Sequence, residues 1–163
     1  LGLSGVLDAS PTSQVALVEY AYDMSPDFAS IRVVMSVRFA NKAVPPGKSP
    51  PSRLSPRNLV YAQAVTSIVT LLRPSKSPEE NAARWAADGG QRARKALAMA
   101  FDQDGVLLPR ALELKPADLK QMAATYHKLA AGGGYTGRIQ EQDATSALLF
   151  RNGALSHART LME

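Results

Sequence analysis

The 163-residue sequence contains no cysteine. A chain without thiols has no disulfide framework, no thiolate zinc site and no cysteine nucleophile. Long hydrophobic runs are also missing, because the most apolar stretch, Leu59–Leu72, is interrupted by polar residues and falls short of the roughly 20 residues of a membrane-spanning helix. With 45% hydrophobic and 20% charged residues, the composition is that of a folded globular protein. We therefore expect a domain that folds without disulfides or metals.

Acidic residues are absent from residues 43–76, and this segment accounts for the formal net charge of +5. The charges of the remaining segments nearly cancel. We predict that the basic segment contacts an anionic partner or surface through five residues: Lys48, Arg53, Arg57, Arg73 and Lys76. Nucleic-acid binding through residues 48–76 is an alternative, although zinc-finger spacing, an RNP-type aromatic strand and a helix-turn-helix pattern are all missing.

The chain divides into a tether and one domain. Residues 1–14 are predicted to form a flexible N-terminal tether, and residues 15–163 a single domain. Residues 43–57 contain five prolines, and because proline removes the backbone donor that a sheet needs, they predict an exposed loop within the domain. Any signal peptide is expected to have been removed before Leu1.

Three stretches before residue 73 favour β-strands. Val15–Tyr22 is rich in valine, leucine and tyrosine, and Ile31–Ala40 alternates apolar residues with polar or basic ones, a period typical of a half-buried strand. Residues 23–27 form a turn cluster between them. A third, long strand is predicted over Asn58–Leu72.

Two helices are predicted next. Ser77-Pro78-Glu79-Glu80 is a helix start with a capping serine and proline at the first position. Apolar residues then recur every three or four positions up to Phe101, and Ala86 and Gly89 are among those expected to be buried. We expect Trp85, Leu97 and Phe101 to pack against Val33, Met35, Val37 and Phe39. Gly89-Gly90 predicts a kink or a close approach to the sheet. The second helix is predicted from Pro116 to about Ala131, ended by Gly132-Gly133-Gly134.

The C-terminal region predicts a hairpin, since Asn152-Gly153 separates Ala144–Phe150 from Ala154–Leu161. The predicted element order is β-β-β-α-α-β-β. The fold class is therefore α+β, an antiparallel sheet with two main helices packed on one face.

The stretch FDQDGVLL, Phe101–Leu108, resembles the first motif of the haloacid-dehalogenase-like phosphotransferases. The resemblance implies Asp102 as nucleophile and Asp104 as general acid/base, with magnesium at the phosphate. That family places a β-strand directly before the motif, whereas here a helical pattern precedes it. We favour the end of a helix followed by an Asp-Gly turn, and keep phosphotransfer as an alternative.

The remaining candidate sites are weak. Gly132–Arg138 lacks the lysine and serine or threonine of a phosphate loop, so a helix cap and linker is favoured. His127 and His157 are the only histidines, predicted on the second helix and on the final hairpin, and two imidazoles do not make a metal site. We expect no catalytic residue, cofactor or metal.

Two other stretches resemble uncharacterised proteobacterial envelope lipoproteins: Tyr20–Asp27 with the strand that follows, and the helix start Glu80–Gly89. The resemblance implies a periplasmic domain tethered to the outer membrane through a lipidated cysteine upstream of Leu1. It names no catalytic residue. We predict a non-enzymatic role in protein–protein binding or structure, with another envelope protein as the partner. Either an exposed sheet edge or the proline-rich loop at residues 43–57 could be the contact surface.

Overall fold

The structure is a computed structural model that describes residues 14–41, 59–131 and 135–162. Its strands and helices are β1 (Gln14–Met24), β2 (Ser30–Asn41), β3 (Leu59–Leu71), α1 (Pro78–Leu112), α2 (Pro116–Ala124), β4 (Lys128–Ala131), β5 (Tyr135–Gln142), β6 (Ser146–Arg151) and β7 (Ala154–Leu161). The predicted loop at residues 43–57 and almost all of the predicted tether lie outside the described residues.

The seven strands form one sheet in the order β1-β2-β3-β7-β6-β5-β4. All neighbouring strands are antiparallel except β3 and β7, which run parallel. The chain therefore crosses from β3 through both helices and three strands before β7 pairs beside it. The predicted α+β class, a mostly antiparallel sheet with two helices, is confirmed.

Helix α1 covers β2, β3 and β7. It begins where the sequence predicts, with the Ser77 hydroxyl accepting the Glu80 N–H at 3.2 Å. Trp85 is only 2% exposed and packs in the cluster that contains Ile31 and Val33 of β2, with Leu97 and Phe101 at its margin. The expected packing of these α1 residues on β2 is confirmed for Val33, while Met35 belongs to a second cluster around Leu107 and Leu155.

Helix α1 is broken at Ala87–Gly90, where the backbone leaves the helical region and Asp88, Gly89 and Gly90 all have positive φ. The predicted kink is confirmed. A Cβ at Gly89 would meet nothing within 4 Å, so its φ of +65°, and not a close approach to the sheet, accounts for the glycine. The predicted burial of Ala86 and Gly89 is wrong, because the break turns both residues to solvent.

Three further predictions are corrected by the structure. The second helix ends at Ala124, and Lys128–Ala131 is a strand paired with β5. Tyr135–Arg138 belongs to β5 and is not a linker, so the sheet has two strands more than predicted. Gly105 lies inside α1, so no Asp-Gly turn follows Phe101. The C-terminal hairpin is confirmed, with Asn152-Gly153 between β6 and β7.

The sheet face opposite α1 carries a small third cluster of Ile68, Ala147, Leu149 and Ala158. Tyr135 of β5 packs on this cluster, and its hydroxyl shares a hydrogen bond with the Ser156 hydroxyl on β7. A Cβ at Gly137 would lie 2.8 Å from Cβ of Leu149, so β5 approaches β6 closely here. Within the described residues, no helix has the length and hydropathy needed to cross a membrane.

Candidate functional site

The outer edge of β1 is open: no other strand of the described residues pairs with it. Strand β1 is 11 residues long, whereas β4 at the opposite edge of the sheet has four. An open edge presents unpaired backbone N–H and C=O groups that can pair with another chain. The two edges therefore differ in how much backbone they offer to a partner.

Strand β1 lacks the usual protection of an edge strand. It contains no proline and no lysine, and its register with β2 runs without a bulge from Gln14 to Met24. Its two acids are neutralised across the strand pair, Glu19 by Arg38 at 3.1 Å and Asp23 by Arg32. The edge is thus regular and carries little uncompensated charge to repel a second strand.

Three large apolar side chains are exposed at the end of this hairpin: Tyr22 by 70%, Met24 by 37% and Phe28 by 37%. We call these three residues the apolar tip. Tyr22 and Met24 lie on the α1 face of β1, two residues apart, as the register with Val33 and Ile31 shows. Tyrosine, phenylalanine and methionine are enriched in protein interfaces relative to the rest of the surface.

The turn that carries Phe28 is held by hydrogen bonds from its own residues. The Ser25 hydroxyl donates to Asp27 Oδ1 at 2.5 Å, and the same oxygen accepts the Ala29 N–H at 3.1 Å. The Ser30 N–H donates to the Ser25 hydroxyl at 3.0 Å. The two bonds to Oδ1 stabilise the carboxylate and lower the pKa of Asp27, the Ser25 hydroxyl contributing most, so the turn keeps this arrangement at neutral pH.

Helix α1 anchors the same turn through two hydrogen bonds. The buried Asn81 amide donates to the Asp27 carbonyl at 2.9 Å, and the Trp85 indole N–H donates to the Phe28 carbonyl at 2.7 Å. Phe28 has a φ of +51°, a conformation that costs an L-residue with a Cβ about 1–2 kcal/mol. The surrounding bonds thus hold a bulky aromatic residue in a strained, exposed position, a combination found most often at functional sites.

The structure places two of the five predicted contact residues near the apolar tip. Arg73 and Lys76 lie in the β3–α1 connection and are exposed, and Asn81 ties that connection to the turn by accepting the Ser75 N–H at 2.8 Å. Lys48, Arg53 and Arg57 lie outside the described residues.

The aspartates of the phosphotransferase hypothesis lie within α1, not at the end of a strand. Asp102 is exposed, and Asp104 is fully buried, accepting the Ser67 hydroxyl at 2.6 Å. Its second oxygen, Oδ2, has no hydrogen-bond partner among the described residues. Burial raises the pKa of Asp104 to about 7, against the smaller opposing effect of the Ser67 bond. A carboxyl enclosed in this way has no room for a phosphate and serves as a contact between α1 and the sheet.

The two histidines lie in different parts of the structure. His127 is exposed between α2 and β4, not on the helix as predicted, and His157 is half-buried on β7, where burial and Arg159 lower its pKa. In the described part of the chain, no three residues of the histidine, aspartate and glutamate types are grouped so that they could hold a metal ion.

The apolar tip could not be recognised from sequence as an exposed surface. The Tyr20–Asp27 stretch is conspicuous for its two tyrosines and its turn residues, but the alternation that buries Tyr20 also predicts burial of Tyr22. Tyr20 packs on Phe101 with ring centres 5.3 Å apart, whereas Tyr22 extends beyond the helix. Only the placement of α1 over β2, β3 and β7 distinguishes the half-buried Tyr20 from the exposed Tyr22.

A comparison of the chain with protein-family models, with curated proteins and with solved structures finds no match.

Proposed function

We propose that this chain is a non-enzymatic binding domain of the cell envelope that pairs the edge of β1 with an extended segment of a partner protein. The observation that carries the proposal is the combination, on one hairpin, of an open 11-residue edge and the apolar tip. The backbone of the edge supplies affinity through strand pairing, and the side chains of the tip supply selectivity.

The edge suits pairing with an added strand because β1 already has its extended conformation before a partner binds. The ladder with β2 fixes β1 along its whole length, and the anchored turn fixes the end that carries Phe28. A preformed edge loses little conformational entropy on binding, so most of the gain from new hydrogen bonds is kept as affinity. Fully extended, 11 residues span about 36 Å, enough for a long ladder.

A second copy of the chain fits this edge poorly. A symmetric antiparallel pairing over Gln14–Met24 places the two apolar tips at opposite ends of the paired strands, where neither is covered. A segment of a different protein can pair with the edge and cover the tip at the same time.

The charge beside the apolar tip indicates the chemistry of that segment. Arg73 and Lys76 are exposed in the connection that Asn81 ties to the turn, and Asp23 of β1 is neutralised by Arg32. Asp27 of the turn and Glu79 and Glu80 of α1 also lie at this end, and each accepts a serine hydroxyl. The proposed segment therefore places apolar residues on the tip and its acids on Arg73 and Lys76. The prediction of an anionic partner thereby narrows to an acidic, apolar-containing segment of an envelope protein.

The compartment is part of the proposal and is supported by the resemblance of Tyr20–Asp27 and Glu80–Gly89 to envelope lipoproteins. The proposed anchor is a lipidated cysteine upstream of Leu1, which would hold the domain at the outer membrane on the periplasmic side. Metabolic labelling of the full-length protein with a fatty-acid analogue tests the anchor separately from binding. Absence of label would remove the lipid anchor and leave the binding proposal standing.

The binding proposal is tested by photo-crosslinking in the source cell. A photoreactive phenylalanine analogue replaces Tyr22 in one protein and Tyr126 in a second. Tyr126 is the matched control, because it is also an exposed tyrosine (88%) and lies far along the chain, after α2. We expect the Tyr22 position to give one discrete crosslinked partner, and Met24→Ser in the same protein to abolish that product.

Equal crosslinking from both positions, or a product unchanged by Met24→Ser, would show non-selective contact and refute the proposal. A product of twice the mass of this chain would show that the edge binds a second copy. Tyr22 and Met24 are exposed, so their substitution is expected to change the free energy of unfolding by no more than about 0.5 kcal/mol. Thermal melts of both variants check this.

A further inference from the structure

A second surface, distant from the apolar tip, is a cavity of about 600 Å³ between α2, the β4–β5 strands and the β6–β7 turn. Its volume lies in the range of small-molecule sites, about 300–1,000 Å³. We call it the basic cavity. Its lining contains four cations and no acid: Lys120, Lys128, Arg138 and Arg151, with Leu119, Ala123, Thr136, Gly137, Phe150, Asn152 and Gly153.

The sheet places part of this lining in one row. Lys128 of β4 is the partner of Arg138 in β5, and Arg138 is in turn the partner of Phe150 in β6. Paired residues of antiparallel strands project on the same face with Cβ atoms about 4.5–5.5 Å apart. Two cations and an aromatic ring therefore stand side by side in front of α2.

Helix α2 supplies the opposite wall. Leu119, Lys120 and Ala123 are spaced by three and four residues, so they share one helix face. The helix is tied to the sheet near the cavity, because the Gln140 amide donates to the Met122 carbonyl at 3.3 Å. The cavity thus has walls fixed on two elements.

Three of the four cations, Lys120, Lys128 and Arg138, belong to the α2 side of the sheet. Arg138 shares the face of Phe150 and donates to the Thr125 carbonyl, a neutral group. The Arg151 guanidinium instead lies 5.0 Å from the ring centre of Tyr135, on the opposite face of the sheet. Acids on the adjoining elements are engaged elsewhere: Asp118 of α2 accepts the Lys115 N–H at 2.8 Å, and Glu141 of β5 pairs with Arg110. Within the described residues, none of the three cations forms an ion pair.

We propose that the basic cavity binds a small phosphate-bearing molecule with an apolar portion. Three cations around so small a volume, Lys120, Lys128 and Arg138, match a dianion better than a single carboxylate, and arginine and lysine together are the usual phosphate ligands of proteins. Leu119, Ala123 and Phe150 form an apolar wall of the same cavity. An inorganic ion would leave this wall uncovered, whereas the apolar portion of a larger ligand would cover it. This inference uses none of the residues on which strand pairing at β1 depends.

Isothermal titration with octyl phosphate tests the site. We expect saturable one-to-one binding, tighter than that of inorganic phosphate, which lacks the chain, and of octanoate, which carries one negative charge. Lys128→Gln and Lys120→Gln should each weaken binding about 10- to 100-fold, the loss of one hydrogen bond to a charged group. Both lysines are exposed, so these variants are expected to fold. Lys95→Gln, at an exposed lysine of α1 that belongs to neither proposed site, is the control and should leave affinity unchanged.

Phosphatidylcholine vesicles with and without phosphatidic acid distinguish the two sources of such a ligand. Binding only to vesicles that contain phosphatidic acid, lost in Lys128→Gln, assigns the cavity to a lipid headgroup. Binding of octyl phosphate without vesicle binding assigns it to a soluble phosphate ester. Octanoate binding as tightly as octyl phosphate, no effect of either lysine variant, or an equal effect of Lys95→Gln would overturn the proposal.

Discussion

At the scale of single residues, Asp104 is the most unusual group of the described chain. It is fully buried between α1 and β3, with one oxygen bonded to Ser67 and the other without a partner. A buried carboxylate is far less stable than a buried carboxylic acid, so burial raises the pKa of Asp104 to about 7. Around neutral pH this contact between helix and sheet therefore depends on a proton.

The raised pKa makes stability depend on pH. Because the pKa is higher in the folded chain than the ordinary 3.8, the contribution of Asp104 to folding is fully present below about pH 4 and is lost as pH rises towards 7. Asp104→Asn keeps a polar partner for Ser67 and never ionises. We expect it to raise the free energy of unfolding by up to about 4 kcal/mol at pH 8 relative to wild type, and by little at pH 4.

Urea denaturation at a series of pH values measures this difference. Asp102→Asn, an exposed neighbour on α1, is the control and should shift stability by less than about 0.5 kcal/mol at any pH. Burial lowers the pKa of His157, the β7 partner of Ser67, from its ordinary value, so the pair of measurements is repeated in a His157→Gln background. A difference between variant and wild type that does not grow with pH would show that Asp104 is not held protonated by the fold.

At the scale of elements, α1 offers two glycines in opposite situations. Gly105 lies in regular helix with open space around its Cα, while Gly89 has a φ of +65° at the break. Alanine is the better helix former but disfavours positive φ. We expect Gly105→Ala to stabilise the fold by about 0.5–1 kcal/mol and Gly89→Ala to destabilise it by about 1–2 kcal/mol.

Thermal or chemical denaturation measures the change in stability of Gly105→Ala and Gly89→Ala, and each variant is the control for the other. Stabilisation by both substitutions would mean that α1 is continuous through residues 87–90. Destabilisation by both would mean that Gly105 is not in an unhindered helix.

The sequence predicts correctly those strands and helices whose signal lies in residues that are neighbours along the chain. Alternation over Ile31–Ala40 is enough to identify a strand, and the cap at Ser77 is enough to identify the start of a helix. Lys128–Ala131 is different: four residues rich in alanine and leucine fit a helix as well as a strand, and only pairing with β5 selects the strand. The close approach at Gly137 likewise depends on Leu149, which is near in space but not in sequence.

At the scale of the whole molecule, charge is distributed differently in space than along the chain. Counting by segments assigns the excess to residues 43–76, and residues 77–163 are nearly neutral. Folding nevertheless brings Lys120, Lys128 and Arg138 around one cavity, while Glu141 of the same segment pairs with Arg110. A balanced segment can therefore build a strongly basic site, which no sum along the sequence detects.

The two proposed surfaces also lie at opposite ends of the sheet. The apolar tip is beside the end of β3, where Ser30 pairs with Thr70, and the basic cavity is at the β6–β7 turn, beside the stretch of β3 where Val65 pairs with Leu155. A partner segment on β1 and a phosphate-bearing ligand can therefore be bound together. Loss of either site by substitution should leave the other intact.

The central claim, strand pairing at β1, is tested most directly by amide hydrogen exchange. The isolated domain is compared with its complex with the partner identified by crosslinking at Tyr22. We expect new protection in peptides from β1 and the adjoining turn, residues 14–29, and unchanged exchange in β4 and β5. Unchanged exchange in residues 14–24, or protection confined to other elements, would contradict strand pairing at this edge.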